Sequence, residues 1–296
     1  MPTYDTPSPI TATVELVVGD LRIVAAERTD TVVEVRPSDP GSDADVRAAE
    51  QTRVEYADGL LLVKTPKQRG LGLFGKPGSV DVTVDLPARS KVQAETGVGG
   101  VRTTGVLSAC RVKSGAGDVH LDRVVGGQLT LETGAGRIDV DTVAGRADIR
   151  TGSGRLQVRE IDGPAEVKNS NGDSWIGQVT GDLRINAANG DIAVDRAGGG
   201  VVASTANGDV RVGAVTRGTA SLKTGFGEVE VGIPAGTAAK LDVSTSFGRV
   251  RNQLESAEGP QETDETVDLR ARSSYGDIVI RRATESTTGS TTGSTE

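Results

Sequence analysis

The chain has 296 residues, 33 basic against 41 acidic for a net charge of −8, with 40 glycines and only seven aromatic side chains. The acidic balance argues against a broad phosphate-binding surface, and the 35% apolar fraction is too rich for wholesale disorder. Glycine without a G-X-Y period excludes collagen, and so few rings mean a core of Val, Ile, Leu and Ala.

Residues 1–9 carry neither a basic n-region nor an apolar h-region, and they are expected to be disordered. With no signal peptide seen and no apolar run of 18 residues, the sequence predicts a cytoplasmic protein without a membrane span. Segment 10–91 reads as an irregular N-terminal β cap. Gly19-Asp-Leu-Arg-Ile mimics one unit of the repeat below, Leu60 to Val63 and Val80 to Leu86 alternate as strands, and Asp43 to Gln51 is the one helical candidate. Gly70 to Lys76 spells G-x-G-x-x-G. A dinucleotide site would need a helix next, and Pro77 and Gly78 follow instead. The stretch is therefore read as a loop presenting Leu71, Leu73 and Phe74 to the cap or to a partner.

From 92 to 282 the chain repeats. Turn glycines recur at 99, 117, 136, 154, 172, 190, 208, 227, 248 and 276, spaced mostly by 18 or 19 residues. Five residues before each lies an apolar position (Ala94, Val112, Leu131, Ile149, Val167, Ile185 and so on), and seven before lies another that includes Cys110. Two after lies a third, broken by Ser174, and seven after a fourth that begins Val106, Val124, Val143. The residues between are mostly polar, so each unit holds two half-buried strands. Like residues in every column suit parallel, in-register coils, and an open meander of twenty strands would curl or split. The sequence predicts an all-β protein, a β-solenoid of about ten coils, right-handed by the crossover preference. Residues 283–296, a Thr/Ser/Gly tail, are expected to be disordered.

The alternation of G-D-V and G-x-G coils, preceded by Ser79-Val-Asp-Val-Thr-Val-Asp-Leu-Pro87 and the stretch GLGLFGKPG, resembles the bacterial β-strand-repeat family labelled "putative adhesin". That resemblance covers about residues 10–282. It implies a β-solenoid of unknown function, common in actinobacteria, and supplies no catalytic residues. A weaker likeness is to bactofilins, cytoplasmic β-helices that polymerise end to end.

Four constellations could carry chemistry. Asp173, Asp191, Asp209 and Glu228 follow the turn glycine in consecutive coils. Stacked carboxylates could take a cation, although they lack the G-G-x-G-x-D spacing of calcium-binding solenoids. A rank of mostly Thr and Ser three residues before the glycine is expected to bond to turn backbone. Phe226, Phe247 and Tyr275 share the column just before the glycine and form either a packing stack or a contact platform. Trp175 stands on the outward parity of its strand and is a candidate partner contact. His120 is the only histidine, and Cys110 falls inward, so no dyad or metal pair is read from them. The sequence thus supports a non-enzymatic scaffold without cofactor that meets a protein partner or itself, and no nucleic acid. The alternative is a carbohydrate- or cation-binding solenoid using the acidic column or the late aromatics.

Overall fold

The structure, a computed structural model, describes residues 1–66, 77–255 and 265–283. Leu71, Leu73 and Phe74 and the tail from Thr284 lie outside the described residues. The short N-terminal strand β1 (Thr3–Asp5) is followed by β2 (Thr11–Val18), β3 (Leu21–Ala26), β4 (Asp30–Pro37), helix α1 (Asp43–Glu50), β5 (Arg53–Ala57), β6 (Leu60–Lys64) and β7 (Val80–Pro87). The regular coils begin with β8 (Lys91–Val98) and β9 (Val101–Leu107). Strands β10 to β21 occupy Ala109 to Val215, and β22 (Gly218–Phe226), β23 (Val229–Ile233), β24 (Thr237–Phe247), β25 (Val250–Asn252), β26 (Glu265–Tyr275) and β27 (Ile278–Arg282) follow.

Within the repeat, each coil gives one strand to each of two large parallel sheets. The predicted columns stack in register. Val112 pairs with Leu131, Leu131 with Ile149, Ile149 with Val167, and Val167 with Ile185. All five are buried, as are their counterparts on the other sheet, so one continuous core runs between the sheets. A single coil has too little apolar surface to fold alone, and its stability comes from its neighbours above and below. The parallel solenoid read from the columns is therefore the observed architecture.

Three details differ from the sequence reading. Within residues 1–9, expected to be disordered, Thr3–Asp5 forms β1 and pairs antiparallel with β4. In β9 the inward position is Leu107 rather than Val106, because Gly105 adds a residue and shifts the register against β11 (Val119–Val125). A one-residue bulge moves the next side chain to the opposite face.

The largest difference is coil order at both ends. The coil β2–β3 lies directly against β8–β9, and the coil β6–β7 stacks outside it. At the other end β26–β27 sits between β22–β23 and β24–β25. The chain thus steps outward to lay down the terminal coil and returns to fill the gap. The outward step, two strand spacings of ~4.8 Å, falls between β23 and β24, at Pro234 to Gly236.

The two ends are finished differently. At the N-terminal end β5 pairs antiparallel with β6 through the Asp58-Gly59 turn, both residues at positive φ (51° and 75°), as a two-residue hairpin turn requires. On the other sheet β4 and then β1 add antiparallel strands. Helix α1, capped by Ser42, which accepts the Asp45 N–H, packs against β4 and β7. At the C-terminal end the 11-residue β24 is itself the edge of its sheet.

Candidate functional site

The strand-to-strand corner at the turn glycines gathers most of the residues singled out by sequence. The side chain just before the glycine points outward at the end of its strand. In the central coils it is Asn171, Asn189 and Asn207, which form an amide ladder. Asn189 Nδ2 donates to Asn171 Oδ1 at 2.9 Å, and Asn207 Nδ2 to Asn189 Oδ1 at 2.8 Å. Register then continues the same rank from Asn207 to Phe226, Tyr275 and Phe247. The rings stack in the order Phe226, Tyr275, Phe247, with centroids 4.8 Å apart in both pairs and planes inclined by 1° and 7°. The spacing is that of neighbouring strands. The stack is not interior: Phe226 is 56%, Tyr275 48% and Phe247 65% exposed. Val250, across the last turn, is exposed too.

The acidic column lies on the far side of the glycine and binds backbone. Asp173 Oδ1 accepts the Asp191 N–H at 3.1 Å, Asp191 Oδ1 the Asp209 N–H at 2.8 Å, and Asp209 Oδ1 the Glu228 N–H at 2.7 Å. Asp118 serves Arg137 and Asp277 serves Arg249 in the same way. Each carboxylate thus satisfies a turn N–H of the next coil, and one of its two oxygens is committed to that bond. Among the described residues no group of three or more His, Cys, Asp or Glu is disposed to hold a metal ion.

The hydroxyl rank lies just inside the corner and bonds to the turns in part, since the hydroxyls of Thr96, Ser114 and Thr151 are buried without a hydrogen-bond partner. Thr224 Oγ1 donates to Gly208 O at 2.7 Å, Thr245 Oγ1 to Gly276 O at 2.9 Å and Ser273 Oγ to Gly227 O at 3.0 Å. Where the rank holds Asn169, its Nδ2 reaches Gly172 O at 2.9 Å and Ser174 Oγ at 3.1 Å. That bond explains why Ser174 can stand in an apolar column: its hydroxyl is partnered although it is buried.

Trp175 is half-buried on the opposite sheet. Its ring lies over Gly177, and its Nε1–H donates to Asp195 Oδ1 at 3.1 Å. It is far less open than the three stacked rings. Further along the same sheet Glu230 accepts from both Arg211 and Arg281 at 2.6 Å. Partial burial raises its carboxyl, but the two guanidinium hydrogen bonds outweigh burial and hold it below the usual range. Cys110 is buried, and burial pushes its thiol up to about 12, so it packs rather than reacts.

One shallow groove on the sheet carrying β24 is lined by Arg146, Glu166, Asp182, Arg184, Gly200 and Gly218. Its acids are already engaged. Glu166 is held below the usual carboxylate range by Lys168, and neighbouring Asp148 by Arg146. Neither Trp175 nor the stacked rings line it. The structure therefore brings Phe226, Phe247 and Tyr275 together at the corner that also carries the acidic column, and leaves Trp175 on the other sheet.

No helix among the described residues is long and apolar enough to cross a membrane. A family model described as Toastrack DUF4097 matches residues 13–224. This agrees with the resemblance drawn from the repeat. No curated protein sequence matches the chain. Among solved structures, a "putative lipid binding protein" from Parabacteroides distasonis ATCC 8503 is 10% identical, with a TM-score of 0.41 over 93% of this chain and 96% of that one. A "putative adhesin" from Parabacteroides merdae ATCC 43184 is 13% identical, with a TM-score of 0.36 over 94% and 95%. Another from Bacteroides fragilis NCTC 9343 is 15% identical, with a TM-score of 0.34 over 94% and 95%.

Proposed function

The chain belongs to the Toastrack DUF4097 family, and we propose that it is a non-enzymatic β-solenoid scaffold that engages a protein partner through its exposed aromatic ladder. One observation carries this reading. In a chain with seven aromatic side chains, three stand in one rank at one end, each about half exposed or more. Solvent-exposed rings that share a rank are costly to keep in water and are typical anchors of protein interfaces. The ladder also favours a protein over a sugar. Sugar recognition needs an open ring face, and here each ring's faces are turned toward its neighbours. The outer face of Phe226 lies toward Asn207 in the next strand, and that of Phe247 is the end of the stack. What the rank offers is a narrow apolar stripe of ring edges beside amides, which suits side chains of a partner.

The test is quantitative capture from an extract of the native cell on immobilised protein. The variant Phe226→Ser/Tyr275→Ser/Phe247→Ser is compared with wild type, with both confirmed as folded by circular dichroism. The expected result is loss of at least one specifically captured protein by tenfold or more. Identical captured sets would contradict the proposal.

A further inference from the structure

The C-terminal end of the solenoid holds a second, independent feature. Strand β24 pairs on one side with β26, and among the described residues its other side has no partner. The core ends there unfinished. Leu241 and Val243 point inward in the same columns as buried Leu269 and Ala271, yet are only partly covered, and among the described residues no coil lies beyond them. An 11-residue edge with an open core beneath it is a template for a further strand. The N-terminal end differs, being closed by short antiparallel strands and a helix.

We propose that a second copy of this chain occupies this edge, through antiparallel pairing of β24 with its counterpart about a two-fold axis at Leu241. A two-fold normal to the sheet reverses strand direction and keeps inward faces inward, so it extends both the sheet and the core. The sequence of β24 selects the register. With Leu241 opposite its own copy, Ala239 faces Val243 and Thr237 faces Thr245 on the inward side. On the outward side Lys240 faces Asp242, and Ala238 faces Ser244. Shifting the axis by one residue places Lys240 against Lys240, or Asp242 against Asp242, and like charges directly opposite destabilise a pair. Shifts that preserve charge matching must keep the axis at Leu241. Lys240 is exposed, and the lysine ion pairs among the described residues are made by Lys64 and Lys168. Asp242 already receives Arg272 at 2.8 Å, and a carboxylate has lone pairs to accept a further donor. Nine residues, Thr237 to Thr245, take part. Phe247 lies beyond them, so this contact does not rest on the ladder reading above.

Sedimentation equilibrium of the full chain tests it with two exposed charge reversals, Lys240→Asp and Asp242→Lys. Wild type is expected to show a monomer–dimer equilibrium. Each variant alone should raise the dissociation constant at least tenfold. An equimolar mixture of the two should restore dimer formation, because each outward charged pair of the heterodimer then sets one aspartate against one lysine. The ladder variant of the preceding subsection should dimerise as wild type does, so the two readings fail separately. A strictly monomeric wild type, a dimer indifferent to Lys240→Asp, or a mixture that stays monomeric would each overturn the proposal.

Discussion

At the scale of single residues, the glycine excess is a consequence of close stacking as much as of backbone angle. Gly136 has φ of 135°, and a Cβ there would lie 2.1 Å from the carbonyl oxygen of Gly117 in the coil below. Gly126 also has positive φ, 88°, but a Cβ there meets nothing within 4 Å. Both positions disfavour a side chain through the backbone, at roughly 1–3 kcal/mol. Only the first adds a clash with main chain that cannot yield without moving a neighbouring coil. Gly136→Ala is therefore expected to destabilise clearly more than Gly126→Ala in urea melts, by about 1 kcal/mol or more. Equal losses would mean that the coils are not packed backbone to backbone at this corner. The polar ranks obey the same logic. Asp191 and Thr224 sit where they do because each turn leaves backbone groups that need partners, so the stacked acids have a structural role before any ligand is considered.

At the scale of the strand and coil, alternation and column chemistry revealed the two strands per unit, the inward positions and the corner, because a half-buried strand imposes a period of two on its sequence. Coil order at the ends was not legible. The columns of Leu241 and Leu269 are interchangeable in chemistry, so nothing in them says which coil stacks on Ala220; only the long spacings around Gly248 and Gly276 hinted at irregularity. The Asp58-Gly59 dipeptide is a hairpin signal that the reading of segment 10–91 did not use, and the exposure of the ladder was not legible, since the residue before a turn can face either solvent or a neighbouring loop. Cysteine pairs read the order directly. In the structure Phe226→Cys/Tyr275→Cys and Phe247→Cys/Tyr275→Cys occupy adjacent strands, within the ~4.4–6.8 Å that a disulfide bridges. Phe226→Cys/Phe247→Cys sits two strands apart, beyond that range. Oxidation is expected to close the first two pairs and leave the third open. Closure of the third in preference would restore simple chain order.

At the scale of the whole molecule, the solenoid is a rod with unlike ends. Its N-terminal end is covered by antiparallel strands and α1, while its C-terminal end gathers the long edge strand, a partly open core and the exposed rings. The faces between are polar sheets on which some charges pair with one another, as with Glu230 between Arg211 and Arg281. Such a rod presents contacts at a fixed distance and orientation, which suits a scaffold, and its polar flanks keep it from binding along its length. Site-specific photo-crosslinking checks the proposal that a partner docks on the aromatic ladder. A photoreactive phenylalanine analogue is placed at Phe226 or Phe247 and, as a control, at exposed Arg150 on the same sheet. Adducts with a distinct protein chain are expected from the two ladder positions and none from the control. Absence of adducts at the ladder, or equal adducts at all three positions, would contradict the proposal.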